Sequence, residues 1–221
     1  MYNKFDNPSE NLALIPSIFY QTDDVVSMAR KLLGKTVLTR SPEGNCTAMI
    51  VETEAYRGPD DRGCHAYGGR YTERTKTMYM QGGTAYVYMC YGIHPMLNVV
   101  TGPEGHAHAV LIRAVQPLDG IELMKIRRQT DVIESLTSGP GKLTVAMGIT
   151  RHMDGVSLFD THSPVIILDN SDTIDNTNIV EGPRVGMSKH VGSCSHRPWR
   201  FYLKGNPFVS KPLKVDYTGK W

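Results

Sequence analysis

No apolar run in this 221-residue sequence is long enough to cross a bilayer. Stretches such as Ala109–Ile112 and Val165–Leu168 fall far short of the roughly 20 residues a membrane helix takes, so no membrane partner is expected. Cysteine is scarce as well. The four, at positions 46, 64, 90 and 194, include no CxxC pair, which argues against a disulfide framework. Cys64 beside His65, and the run Gly105-His106-Ala107-His108, are the only hints of a metal site. They fall short of the three or four convergent ligands that zinc requires, so neither metal nor cofactor is expected. Charge of one sign is missing too: 24 basic residues face 22 acidic ones, a formal net charge of +2. Internal repeats and low-complexity tracts are absent, which predicts a single domain over residues 1–221, with 1–15 as a loosely ordered tail. The polar opening, Met1 to Glu10, does not read as a secretory signal. The expected location is cytoplasmic or nucleoid (nuclear in a eukaryote), and not secreted.

What the total charge hides, its distribution partly restores. Residues 184–220 carry Arg184, Lys189, Arg197, Arg200, Lys204, Lys211, Lys214 and Lys220 against one acid, Asp216. Arg70, Arg74 and Lys76 form a second cluster. Basic patches of this kind suit a phosphate backbone, although a solvated surface explains either one alone. Local patterns predict a helix capped by Thr22 and ended by Gly34. A hairpin of Lys35–Arg40 and Thr47–Tyr56 follows, then a glycine-rich loop of about 25 residues from Arg57 to Gln81, long enough to suggest a functional segment. Further strands are predicted at Thr84–Cys90, Leu97–Thr101, His108–Val115, Val165–Leu168 and Arg200–Leu203, with helices at Leu118–Arg128 and Pro140–Met147. The fold class expected is mixed α+β: a curved, mainly antiparallel sheet flanked by helices.

Chemistry gathers on Ile50-Val51-Glu52-Thr53-Glu54-Ala55-Tyr56. Alternation along a strand puts Glu52, Glu54 and Tyr56 on one face and Val51, Thr53 and Ala55 on the other. Arg113, inside the apolar run Ala109–Val115, requires a carboxylate partner, because an unpaired buried charge is costly; Glu52 or Glu54 can supply it. Tyr86 and Tyr88 share a strand face, and Tyr91 follows at a turn opened by Gly92, where a ring would protrude. A protruding ring can fill the gap left when a nucleotide leaves the stack. Ser138-Gly139-Pro140-Gly141-Lys142 is a glycine-rich helix entry where Lys142 could meet a phosphate.

In combination these residues resemble the alkyladenine (3-methyladenine) DNA glycosylase family, of monofunctional type. The resemblance runs from about Leu32 to Ser210 and rests on IVETEAYRGPDDRGCH (50–65), GTAYVYMCYGIHPMLNV (83–99), VLIRAVQPL (110–118), SGPGKL (138–143), PRVG (183–186) and RPWRFYLKGNPFVS (197–210). It implies that Glu54 is a general base for water attacking C1′ of a flipped nucleotide. Arg113 and the backbone carbonyl of Val185 would help hold that water. It further implies that Tyr56, His65 and Tyr88 enclose the flipped base, that Asn98 crowds the 2-amino group of guanine, and that Tyr91 intercalates. Ile93 and His94 stand where the family pattern has methionine and tyrosine that touch DNA, and Cys64 also departs from it. The implied activity removes alkylated or deaminated purines (3-methyladenine, 7-methylguanine, hypoxanthine, ethenoadenine) from double-stranded DNA by simple hydrolysis. Ile93, His94, Lys142, Arg70 and Arg74 are weaker candidates for backbone contact, and a monomer is expected. Two other readings remain open from the residues alone. One is a glycoside hydrolase using Glu52 and Glu54 as an acid/base pair; the other is a damaged-DNA-binding module without catalysis.

Overall fold

The computed structural model describes residues 12–170 and 173–213. Nine antiparallel strands make one open sheet: β1 (Ala13–Leu14), β2 (Thr36–Ser41), β3 (Gly44–Arg57), β4 (Ala85–Cys90), β5 (His94–Thr101), β6 (His108–Asp119), β7 (Val165–Asp169), β8 (Ile179–Gly182) and β9 (Arg200–Leu203). The order is β1-β7-β2-β3-β6-β5-β4, and the β8–β9 ribbon joins through β3. β3 therefore organises the sheet. Its first half pairs with β2, its second half with β9, and its opposite edge with β6 over nearly its whole length. Helices α1 (Val25–Lys31) and α3 (Pro140–Ala146) pack on the sheet, and α2 (Ile121–Arg128) packs on α3.

Two opposed irregularities decide which way the β3 acids point. Ile50 pairs with Val115 and Glu52 with Ala114, so β3 carries one extra residue, Val51. One step on, Thr53 pairs with Ile112, so β6 carries an extra residue in its turn, Arg113. The bulges cancel, and the register is the same on both sides. The effect on facing is large. Before the bulge, even-numbered Cys46, Ala48 and Ile50 enter the main core; beyond it, odd-numbered Ala55 does, and Thr53 donates its hydroxyl to the Ala29 carbonyl on α1 (2.8 Å). Were the pairing regular through Val51, Glu52 and Glu54 would continue the even-numbered set into that apolar core. Simple alternation also puts Val51 with Thr53 and Ala55, and that expectation is corrected here. Val51 packs with Ala114, Tyr202 and Phe208 in a separate cluster.

Most predicted elements are present, with shifted ends. Asp24, not Thr22, caps α1, its Oδ1 accepting from the Ser27 amide (2.9 Å). β6 runs on to Asp119, so the following helix starts at Ile121 rather than Leu118. β8 was not predicted: Ile-Val-Glu-Gly is too short to show a period. The expected tail is partly corrected. Ala13–Leu14 pair with β7 and Ile15 is buried, while residues 1–11 lie outside the described residues. Among the described residues no helix is long and apolar enough to cross a membrane.

Inserting one alanine between Glu52 and Thr53 should turn Glu54 toward the apolar core, and we expect no folded protein by circular dichroism. Val51→Ala keeps the register and should cost only about 1–3 kcal/mol in urea unfolding. An insertion variant as stable as Val51→Ala would contradict the facing assigned to Glu54.

Candidate active site

On the face that carries Glu52 and Glu54, the second half of β3, β4, β5 and β6 wall a cavity of about 370 Å³, within the usual range for a small-ligand pocket. Tyr56, His65, Tyr86, Tyr88, Asn98, Arg113 and Val185 are among its lining residues. His65 comes from the long loop after β3, and Val185 from the segment after β8. The predicted functional loop is thus one wall of the site.

Glu54 is fully buried just behind the cavity lining, and its three partners, Tyr56, Arg113 and Val185, all line the cavity. One oxygen accepts from the Val185 amide (2.6 Å) and the other from the Tyr56 hydroxyl (2.7 Å). Arg113 Nη1 stands 3.4 Å from the first oxygen. Burial raises the Glu54 pKa above the ordinary carboxylate value, and the Arg113 charge, then the Val185 and Tyr56 hydrogen bonds, pull it back without cancelling the shift. Each oxygen accepts one hydrogen bond and can take a second, so the carboxylate has capacity to receive a water. Val185 meets Glu54 through its N–H.

Glu52 has a different occupation. It is also fully buried, and it accepts from Arg113 Nε (3.1 Å), Arg200 Nη1 (3.2 Å) and the Ser210 amide (2.8 Å). It is absent from the cavity lining. The acid/base-pair reading of Glu52 and Glu54 is not favoured by this arrangement, because all three partners of Glu54 line the cavity, whereas of the partners of Glu52 only Arg113 does. Arg113 bridges the two acids and uses Nη2 on the Ser210 hydroxyl (3.3 Å).

The rings form the remainder. His65 and Tyr88 meet edge to face at 4.6 Å, and Tyr86 tilts against Tyr88 at 5.5 Å. Arg74 donates to His65 Nε2 (3.2 Å), since a guanidinium can only donate. The proton of the neutral ring is thereby assigned to Nδ1, which faces the Tyr86 oxygen at 3.0 Å. Burial, then the Arg74 and Arg70 charges, push the His65 pKa down to about 4, so the ring is neutral at physiological pH. Asn98 is held by Nδ2 donating to the Tyr86 and Met96 carbonyls (3.1 and 3.2 Å).

At the mouth, Tyr91 is 93% exposed and has φ 51°, followed by Gly92 at φ 72°. Positive φ at both central residues is what a type I′ hairpin turn requires, and a tyrosine there is strained. Ile93 (69% exposed) and His94 flank the tip. Lys142 and Arg70 are exposed; Arg74 is at the rim, its guanidinium 5.1 Å from the Tyr88 ring.

The basic C-terminal run is not the uniform surface patch that its composition suggested. Arg184 is buried, bound to Asp61 (Nη2–Oδ1 2.8 Å) and the Ala55 carbonyl (2.9 Å), with its guanidinium 4.6 Å from the Tyr56 ring. It covers one face of that ring and leaves the other to the cavity. Arg200 serves Glu52; Lys214 and Lys220 lie outside the described residues. Asp61 and Arg184 were missed as a pair because 123 residues separate them, and only the oddity of two adjacent acids before a glycine, Asp60-Asp61-Arg62-Gly63, marks the place.

A buried carboxylate held by residues of a ring-lined cavity, beside an exposed tyrosine tip, suits an enzyme that takes up a flat ring. Residues 18–207 match the family described as methylpurine-DNA glycosylase (MPG). A Bacillus mycoides (strain KBAB4) protein named "Putative 3-methyladenine DNA glycosylase" is 44% identical over 203 residues, covering 89% of this chain and 98% of the relative. Proteins of the same name from Bacillus cereus (strain G9842) and Bacillus anthracis (strain CDC 684 / NRRL 3495) are 43% identical, with the same coverage. The class is therefore a DNA glycosylase, a hydrolase of base excision repair. Within it, the chain belongs to the methylpurine-DNA glycosylase family.

Asp61→Ala leaves the Arg184 charge buried without its carboxylate. The expected loss is about 3–5 kcal/mol in urea unfolding. A loss under 1 kcal/mol would show that the pair does not hold the loop.

Proposed function

We propose that this chain flips an alkylated or deaminated purine out of double-stranded DNA and hydrolyses its N-glycosidic bond with a water activated by Glu54, leaving an abasic site. The observation that carries this reading is the Glu54 carboxylate: fully buried and held by Val185, Tyr56 and Arg113, all three of which line a cavity walled by rings.

The chemistry follows from that arrangement. A cationic alkylpurine is already a good leaving group, so its departure develops positive charge on the sugar. An adjacent carboxylate stabilises that charge and takes a proton from the attacking water, while Arg113 and the Val185 carbonyl orient the water. The Tyr56, His65 and Tyr88 rings receive the flipped base. Their π faces attract a cationic purine by about 0.5–2 kcal/mol, and a neutral His65 adds no opposing charge. Asn98, fixed against the wall, bears on a guanine 2-amino group. Tyr91, the most exposed of the large hydrophobic side chains at the mouth, fills the gap in the duplex, with Ile93 and His94 beside it and Arg70, Arg74 and Lys142 near the backbone. Nothing in this scheme calls for a second copy or a covalent lysine adduct. The protein acts as a monomer in the compartment that holds the DNA, by simple hydrolysis.

Glu54→Gln keeps the shape of the side chain and removes its basicity. On duplexes carrying 7-methylguanine or ethenoadenine, single-turnover excision should fall at least about a hundredfold while lesion binding persists. Excision at the wild-type rate would refute the role of Glu54. Borohydride should trap no enzyme–DNA adduct; a trapped adduct would point to lyase chemistry instead.

A further inference from the structure

Away from the ring-lined cavity, a second one of about 490 Å³ opens between the start of α1 and the turn joining β5 to β6 (residues 102–107). Three side chains converge there: Asp23, just before the α1 cap, His106 in the turn, and His108, the first residue of β6. One ligand atom from each lies within 4.8 Å of the others. Asp23 Oδ1 and His106 Nδ1 are 2.7 Å apart, and the two imidazoles meet at 6.1 Å between centroids. His108 is only 8% exposed, yet its Nδ1 has no hydrogen-bond partner. A buried nitrogen left unpaired costs about 1–3 kcal/mol, and here it belongs to a side chain that lines the cavity.

We propose that Asp23, His106 and His108 bind a divalent zinc-class metal ion. Two imidazoles and one carboxylate are a ligand set that zinc accepts, with water completing the tetrahedron. Ligand atoms around such an ion stand about 3.4 Å apart for bonds of 2.0–2.1 Å, so separations of up to 4.8 Å close by little more than an ångström while the Asp23–His106 pair opens by about 0.7 Å. Asp23 and His106 are already in contact, and the metal takes the place of the proton they share. Arg57 faces His108 across the β3–β6 ladder, but its own charge is held by Asp60 through two bonds of 2.9 and 2.6 Å. The bound ion clips the β5–β6 turn to the start of α1, and Gly58 and Pro59 of the loop that supplies His65 line the same cavity. The histidines alone, spaced one residue apart, did not suffice to predict this; the third ligand comes from 83 positions earlier in the chain.

The site is tested with Zn²⁺ alone, by equilibrium dialysis and thermal unfolding of the full chain. Wild type should hold one Zn²⁺ per chain and gain several degrees in melting temperature at saturation. Because Asp23 and His106 are exposed, Asp23→Asn and His106→Ala should fold normally, bind Zn²⁺ at least tenfold more weakly and lose the thermal shift. Absence of Zn²⁺ binding by wild type, or equal binding by wild type and both variants, would overturn the assignment. Neither outcome depends on glycosylase activity.

Discussion

Two carboxylates buried side by side on one strand are tolerated because Arg113 stands between them. The surrounding structure follows from that requirement. Two acids with no exposure would each be unaffordable alone, and like charges so close repel. Arg113 reaches Glu52 with Nε and Glu54 with Nη1, and Arg200 and the Ser210 amide complete the neutralisation of Glu52. The cost of burial is thereby concentrated on Glu54, whose donors do not fully offset it. The outcome is one acid engaged by three donors and one, Glu54, that the proposed chemistry uses as its base. Strand β9 and the segment after it support the proposed chemistry from outside the cavity lining, because they hold Glu52, which in turn holds Arg113.

The architecture also explains why an irregular β3 is a functional feature. A regular strand through Ile50 could place the acids on the site side only by giving up its even-numbered core residues. The extra Val51 changes the parity, and the extra Arg113 on β6 restores the register while presenting the guanidinium to the same face. The long loop after β3 is fastened by a second buried pair, Asp61–Arg184, whose guanidinium also covers one face of the Tyr56 ring. Ion pairs thus hold both the catalytic wall and the wall that carries His65.

A good part of this was legible in the sequence, and the reasons are local. Alternation and turn residues mark β2, β4 and β9; Tyr91 before Gly92 marks an exposed tip; and an arginine inside Ala109–Val115 requires an acid. What escaped depends on distance in the chain or on irregularity. No period reveals a bulge at Val51. Arg184 looks like surface charge until Asp61, far upstream, is placed beside it. Asp23 becomes a neighbour of His106 only once α1 is set against the β5–β6 turn. The Thr22 cap was misplaced by two residues because Asp23 and Asp24 offer the same chemistry.

The central claim is that a buried, ionised Glu54 is the base. It is tested most directly by the pH dependence of single-turnover excision of 7-methylguanine, a cationic base whose departure needs no protonation. Rate should fall as pH drops through a midpoint above the ordinary carboxylate value, because burial raises the Glu54 pKa and only the carboxylate can accept the proton. Arg113→Gln removes a charge that stabilises the carboxylate, so it should move that midpoint still higher. A rate independent of pH down to the ordinary carboxylate range, or a midpoint unmoved by Arg113→Gln, would contradict the account.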